Sequence, residues 1–151
     1  MDFSNPIDDL DWIYGLWRGT LSTDGIDSES YLQCRKFGID IIEIKQIKSS
    51  TKPEKLLERN FLFFDKTREQ MKLISFNSEG YIETSNLFIK SNKKQTILTS
   101  DFESGYNLPP NMKIIKEFTY KKNEKQLEIK VKMGLKEEIV SHGIFTFSGN
   151  K

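Results

Sequence analysis

The chain has one cysteine, Cys34, and one histidine, His142, in 151 residues. A single thiol excludes an intramolecular disulfide, and without spaced cysteine and histidine pairs no zinc site can be written. Nucleophile elbows and glycine-rich phosphate loops are missing too, which removes the common hydrolase and nucleotide-binding signatures. Charge of one sign is also lacking, because 23 basic side chains are matched by 22 acidic ones for a net charge of +1. That balance gives no electrostatic reason to expect nucleic acid or an anionic membrane as partner. The lysines are spread evenly apart from the pairs Lys93-Lys94 and Lys121-Lys122. No apolar run approaches the length needed to span a bilayer, and the N-terminus shows no basic segment leading into an apolar one. The expected location is the cytoplasm. At this length one domain, residues 1–151, can bury roughly two thirds of its unfolded surface.

What the chain does have is concentrated in Leu10 to Thr20, LDWIYGLWRGT. Trp17 lies between Gly15 and Gly19, and in an extended chain these three residues share one face. Glycine lets another backbone approach closely, so a large indole between two such gaps predicts a strand that curves round its own aromatic plug. Ahead of it, Pro6 suits the first position of a short helix, and Ile7, Leu10 and Ile13 or Tyr14 recur at helical spacing. A helical turn that closes one end of a barrel, with the tryptophan strand packed over it, is the arrangement these residues suggest.

After Gly19 the periodicity is two, with almost no helical pattern. Strands are predicted up to Asp24-Gly25, then over Ser28–Phe37, Ile39–Lys48, Leu57–Phe64, Gln70–Phe76, Tyr81–Ile89, Gln95–Glu103, Lys113–Tyr120, Gln126–Met133 and Ile139–Phe147. Turns separate them, the longest being the polar Ser49–Lys55 and, in the second half, Gly105–Asn111, which holds Pro109 and Pro110 and is aromatic and apolar rather than simply polar. Short connections require antiparallel neighbours, and a meander of about ten strands removes its two hazardous edges by closing. The expected fold is therefore all-β, an antiparallel up-and-down closed barrel with a short N-terminal helical turn.

The strand faces suggest contents for the barrel. Gln126–Met133 alternates cleanly, whereas Ser28–Phe37 sets Tyr31, Arg35 and Phe37 on one face and Leu57–Phe64 sets Arg59 with Phe61 and Phe63. Mixed faces fit a barrel that encloses a wet ligand cavity. On that reading Trp17, Arg35, Arg59, Phe61, Phe63 and Phe145 line the site, with an arginine meeting a polar head group. The alternative puts each arginine on the exterior beside exposed aromatics. Cys34 is read as a packed apolar residue, and the carboxylates Asp101 and Glu103 as part of a solvated face.

The stretch GLWRG after a short apolar turn, FLFFDKTREQMKLISFNSEGYIE over Phe61–Glu83, MKIIKEFTYKKNEKQLEIKVKM over Met112–Met133 and the pair Ser141-His142 together resemble the calycin-type barrels, the lipocalins and fatty-acid-binding proteins. The nearest likeness is to the nitrobindin-like family, many of whose members are uncharacterised. Classical fatty-acid-binding proteins carry a two-helix lid where this sequence has only a turn at Gly25, and the nitrobindin glycine-rich tract is replaced by Thr20–Asp24. The resemblance implies an intracellular protein that binds a small hydrophobic ligand. It also implies a haem-binding alternative, with His142 on the last strand as iron ligand and a peroxynitrite isomerase-like activity, haem being the one cofactor left open. Strand parity argues against that, since Phe145 and Phe147 pointing inward would turn His142 outward unless a bulge intervenes. A third reading is a barrel filled by its own phenylalanines and used for protein interaction. The favoured reading is a non-catalytic carrier or sensor of a small hydrophobic molecule, without nucleic acid or membrane partners and with a homodimer left open.

Overall fold

Alternating apolar residues drive each segment after Tyr14 into a strand with one buried face. In the computed structural model, which describes residues 6–149, the strands are β1 (Gly15–Thr23), β2 (Ile26–Lys36), β3 (Ile41–Lys48), β4 (Lys55–Asp65) and β5 (Gln70–Asn77). They continue as β6 (Ile82–Ser91), β7 (Gln95–Tyr106), β8 (Ile114–Lys121), β9 (Gln126–Met133) and β10 (Glu138–Gly149). Every strand pairs antiparallel with its sequence neighbours, and β10 returns to pair with β1, so the sheet closes into a barrel without edges. The expected all-β barrel of ten strands is the observed one.

A 3-10 helix, Pro6–Ile13, caps one end and buries Ile7, Leu10 and Ile13 against the barrel core. Trp17 sits directly above it, 1% exposed, and its indole Nε1 donates a hydrogen bond to the Ile13 carbonyl at 2.8 Å. The flanking glycines let β10 approach. A β-carbon on Gly19 would stand 1.8 Å from the Ile144 carbonyl oxygen, and one on Gly15 would stand 2.7 Å from the Phe147 ring. Trp12 stacks on Tyr120 with centroids 4.1 Å apart, and both meet the edge of Trp17. This end of the barrel is closed by aromatic packing.

Above the cap the interior is filled by Leu32, Cys34, Ile42, Ile44, Leu62, Leu73, Leu87, Leu98, Phe118, Leu127 and Phe145. These inward positions alternate with outward polar ones, such as Glu128 and Lys130 on β9. One departure from simple pairing matters for the site. β7 matches β8 only over Gln95–Thr99 against Glu117–Lys121, after which the Ser100 hydroxyl accepts the Lys116 backbone N–H at 2.7 Å in place of a ladder bond. No helix among the described residues is long and apolar enough to cross a membrane.

Candidate functional site

Followed from the closed end toward the open end, the inner face of several strands changes from apolar to polar. On β4 it runs from Phe64 and Leu62 to Asn60 and Glu58, and on β5 from Met71 and Leu73 to Ser75 and Asn77. On β6 it runs from Leu87 to Ser85 and Glu83, on β2 from Cys34 and Leu32 to Ser30, and on β8 from Phe118 to Lys116. Period two brings these polar ends to one level of the barrel. The sequence thus builds an apolar plug below and a polar layer above it.

Lys116 is the centre of that layer. Only 2% exposed, it places its ammonium 2.6 Å from Glu83 Oε1, 2.8 Å from the Ser75 hydroxyl and 3.1 Å from Asn60 Oδ1, with Glu58 Oε1 closer still. Ser75 in turn donates to Asn60 Oδ1 at 2.5 Å. Burial pushes the Glu83 carboxyl above the usual range even though Lys116 opposes the shift. Burial would lower Lys116, but the charges of Glu58 and Glu83 outweigh it and hold its pKa above the ordinary value. The ammonium therefore stays charged near neutrality, which excludes it as a free-amine nucleophile.

Above the layer the barrel opens into a cavity of about 350 Å³. Leu21, Leu57, Val131, Met133 and Val140 give it an apolar wall, while Gln46, Glu58, Asn77 and Tyr81 give it a polar one. The rim is fixed by the turn after β5, where Asn77 accepts the Glu79 N–H at its side chain and the Gly80 N–H at its carbonyl, both at 2.9 Å. Its amide then donates to Glu58 Oε2 at 3.2 Å. Burial and the neighbouring Glu58 charge raise the Tyr81 phenol above its usual range. The cavity can hold a small molecule against one greasy and one hydrogen-bonding wall.

The residues expected from sequence to line a cavity divide. Trp17 and Phe145 are buried in the core, on the closed side of the polar layer. Arg35, Arg59, Phe61 and Phe63 are corrected in placement, because they lie on the outer face. The opposite parity buries Leu62 and Asn60, and a strand has no third choice. Outside, Glu43 accepts from Arg35 Nε at 2.8 Å and from Arg59 at 2.5 Å, and is itself fully buried beneath them. Burial opposes ionisation of Glu43, but these two guanidinium hydrogen bonds outweigh it and hold the carboxyl below the usual range. Phe61 makes edge contacts with Phe37 and Phe76, at 5.3 and 5.8 Å.

His142 also points outward, as its parity with Phe145 requires. It is paired across strands with Ser22 and Lys130, and its Nε2 lies 3.4 Å from Glu128 Oε2. Such a position does not fit an axial ligand for haem inside the barrel, since the side chain lies on the outer face with a carboxylate beside it. Among the described residues no group of three or more His, Cys, Asp or Glu is placed to hold a metal ion. Burial alone pushes the Cys34 thiol far up, which leaves it inert.

Sequence reasoning missed Glu58, Asn60, Ser75, Glu83 and Lys116. One signal was available, a lysine alternating with Ile114, Phe118 and Tyr120 on a face otherwise apolar.

No family model matches the chain, and no curated protein matches it. Among solved structures the barrel is similar to Rv2717c from M. tuberculosis, with a TM-score of 0.75 over 97% of this chain and 99% of that one at 13% identity. At that identity the likeness concerns the fold.

Proposed function

We propose that this protein is a non-catalytic binding protein for a small, largely apolar molecule, taken up through the open end of the barrel. The observation that carries the reading is the cavity above the Lys116 layer, with its apolar wall of Leu21, Leu57, Val131, Met133 and Val140 facing Glu58, Asn77 and Tyr81. Carrier or sensor action needs a preformed pocket on a rigid scaffold, and the closed sheet beneath supplies one. The calycin and nitrobindin likeness of the sequence supports the same reading, and the closed barrel is compatible with it. Haem use through His142 receives no support from its outward position.

Titration with the neutral fluorophore 1-aminoanthracene tests this. Saturable one-to-one binding is expected, reduced at least about tenfold by Leu57→Trp, which fills the mouth. Absence of saturable binding, or binding indifferent to that change, refutes the reading.

A second reading rests on the outer face of β2–β5. Phe37 and Phe76 are 48% and 44% exposed beside Phe61 and the Arg35–Glu43–Arg59 ion pairs, and contiguous exposed aromatics suit a protein contact such as a homodimer. Light scattering of the wild type and of Phe37→Ser/Phe76→Ser distinguishes it, because a dimer built on this face dissociates in the double variant.

A further inference from the structure

The polar layer sets two carboxylates, Glu58 and Glu83, against one cation, Lys116. Four oxygens, from Glu58, Glu83, Asn60 and Ser75, surround one ammonium that carries three hydrogens. The buried Glu83 Oε2 and Ser85 hydroxyl have no hydrogen-bond partner at all. Glu58 stands between this layer and the solvent, bonded below to Lys116 and lining the cavity above. The cavity wall itself carries Asp24, Glu58 and Glu79 against a single lysine, Lys55, and Lys116 beneath is offset by Glu83. An anionic head group entering here would meet carboxylates first, while the arginines that could receive it lie on the other side of the sheet.

Building on the binding-protein reading, we propose that the ligand's polar end is a protonated amine seated on Glu58, with its apolar body against Leu21, Leu57, Val131 and Met133. An ammonium supplies a second positive charge to a floor whose two carboxylates share one lysine, and a charge-assisted hydrogen bond to a partly buried carboxylate discriminates strongly against a carboxylate ligand. The amide of Asn77 holds Glu58 Oε2 in place from the rim, so the acceptor is fixed before the ligand arrives.

Matched probes decide the matter, namely n-hexylamine, 1-hexanol and hexanoate, each titrated into the wild-type protein by calorimetry. Amide shifts at Leu57, Asn77 and Val131 followed by NMR locate the binding. The expected order is amine above alcohol above hexanoate, with at least a tenfold gap between amine and hexanoate and the shifts confined to the mouth. In Glu58→Gln the amine should fall to the level of the alcohol while the alcohol is nearly unchanged, and the NMR spectrum reports whether that variant is folded. If it is not, the wild-type order alone stands as the test. Hexanoate binding as well as or better than the amine overturns the proposal and leaves the binding-protein reading standing. Equal affinity for all three does the same, since the cavity then reads only the apolar body. Failure of all three, together with failure of 1-aminoanthracene, overturns both.

Discussion

Replacing Lys116 by methionine removes the cation from the polar layer while keeping the length of its stem. Glu58 and Glu83 then face each other in a buried site, with no cation between them. Breaking a buried ion pair from one side costs about 3–5 kcal/mol, because the remaining charge stays desolvated. That is a large part of the stability of a typical domain. Urea denaturation at pH 7 should show this loss, and adding Glu58→Gln and Glu83→Gln should restore about half of it by removing the stranded carboxylates. The pH dependence follows from the same groups. Glu83 has a folded pKa above its ordinary 4.5, so its ionisation penalty is absent below that value and grows as pH rises. In Lys116→Met the penalty is larger, and the deficit relative to wild type should therefore shrink on going from pH 7 to pH 4. Lys116 itself is raised above 10.5, so its contribution in the wild type is intact below that pH and is lost as pH climbs through the folded value. A loss under about 1 kcal/mol at pH 7, or a deficit that does not change with acid, would refute the charged layer.

Trp17→Ala should cost about 3–5 kcal/mol in the same assay, since a 1% exposed indole over the cap leaves a cavity that the rigid barrel cannot close. Gly19→Ala drives a methyl to within 1.8 Å of the Ile144 carbonyl oxygen, so β1 must part from β10, and the variant should lose amide protection along that seam or fail to fold. Glu43→Gln should cost about 1–2 kcal/mol, discounted because Arg35 and Arg59 are 52% and 38% exposed. Its folded pKa is lowered, so the loss should be full above about pH 4.5 and fade as pH falls below it. Added haem should give the same absorption spectrum with wild type and His142→Ala, and a ligated band present only in the wild type would restore the histidine as an iron ligand.

The strand pattern was legible because turn residues and period-two alternation agree along most of the chain. Gln126–Met133 matches β9 at both ends, and the Trp17 plug between two glycines stands where its spacing placed it. The cap was legible from Pro6, Ile7, Leu10 and Ile13, although helical spacing did not distinguish a 3-10 helix from an α-helix. The polar layer was not legible. Its members come from strands as distant in sequence as β4 and β8, and only closure of the barrel sets Glu58 beside Lys116. No local pattern encodes a contact between residues 58 positions apart.

The error at β4 shows how parity governs function in a barrel. Phe61 and Phe63 are the larger aromatics of that strand and invite an inward reading, which carries Arg59 in with them. Yet an inward Phe61 would turn Leu62 and Asn60 out, and it would separate Glu43 from Arg59, one of the two guanidinium groups that cover it on the exterior. The ion pairs of buried Glu43 with Arg35 and Arg59 thus favour the same parity as the core does. Once Arg59 faces outward, the inner face of β4 presents Asn60 and Glu58, and the charge that strand offers to a ligand changes sign. A one-residue alternation on β4 therefore separates a pocket for carboxylates from one for amines, and the hexanoate and hexylamine titrations read that parity directly.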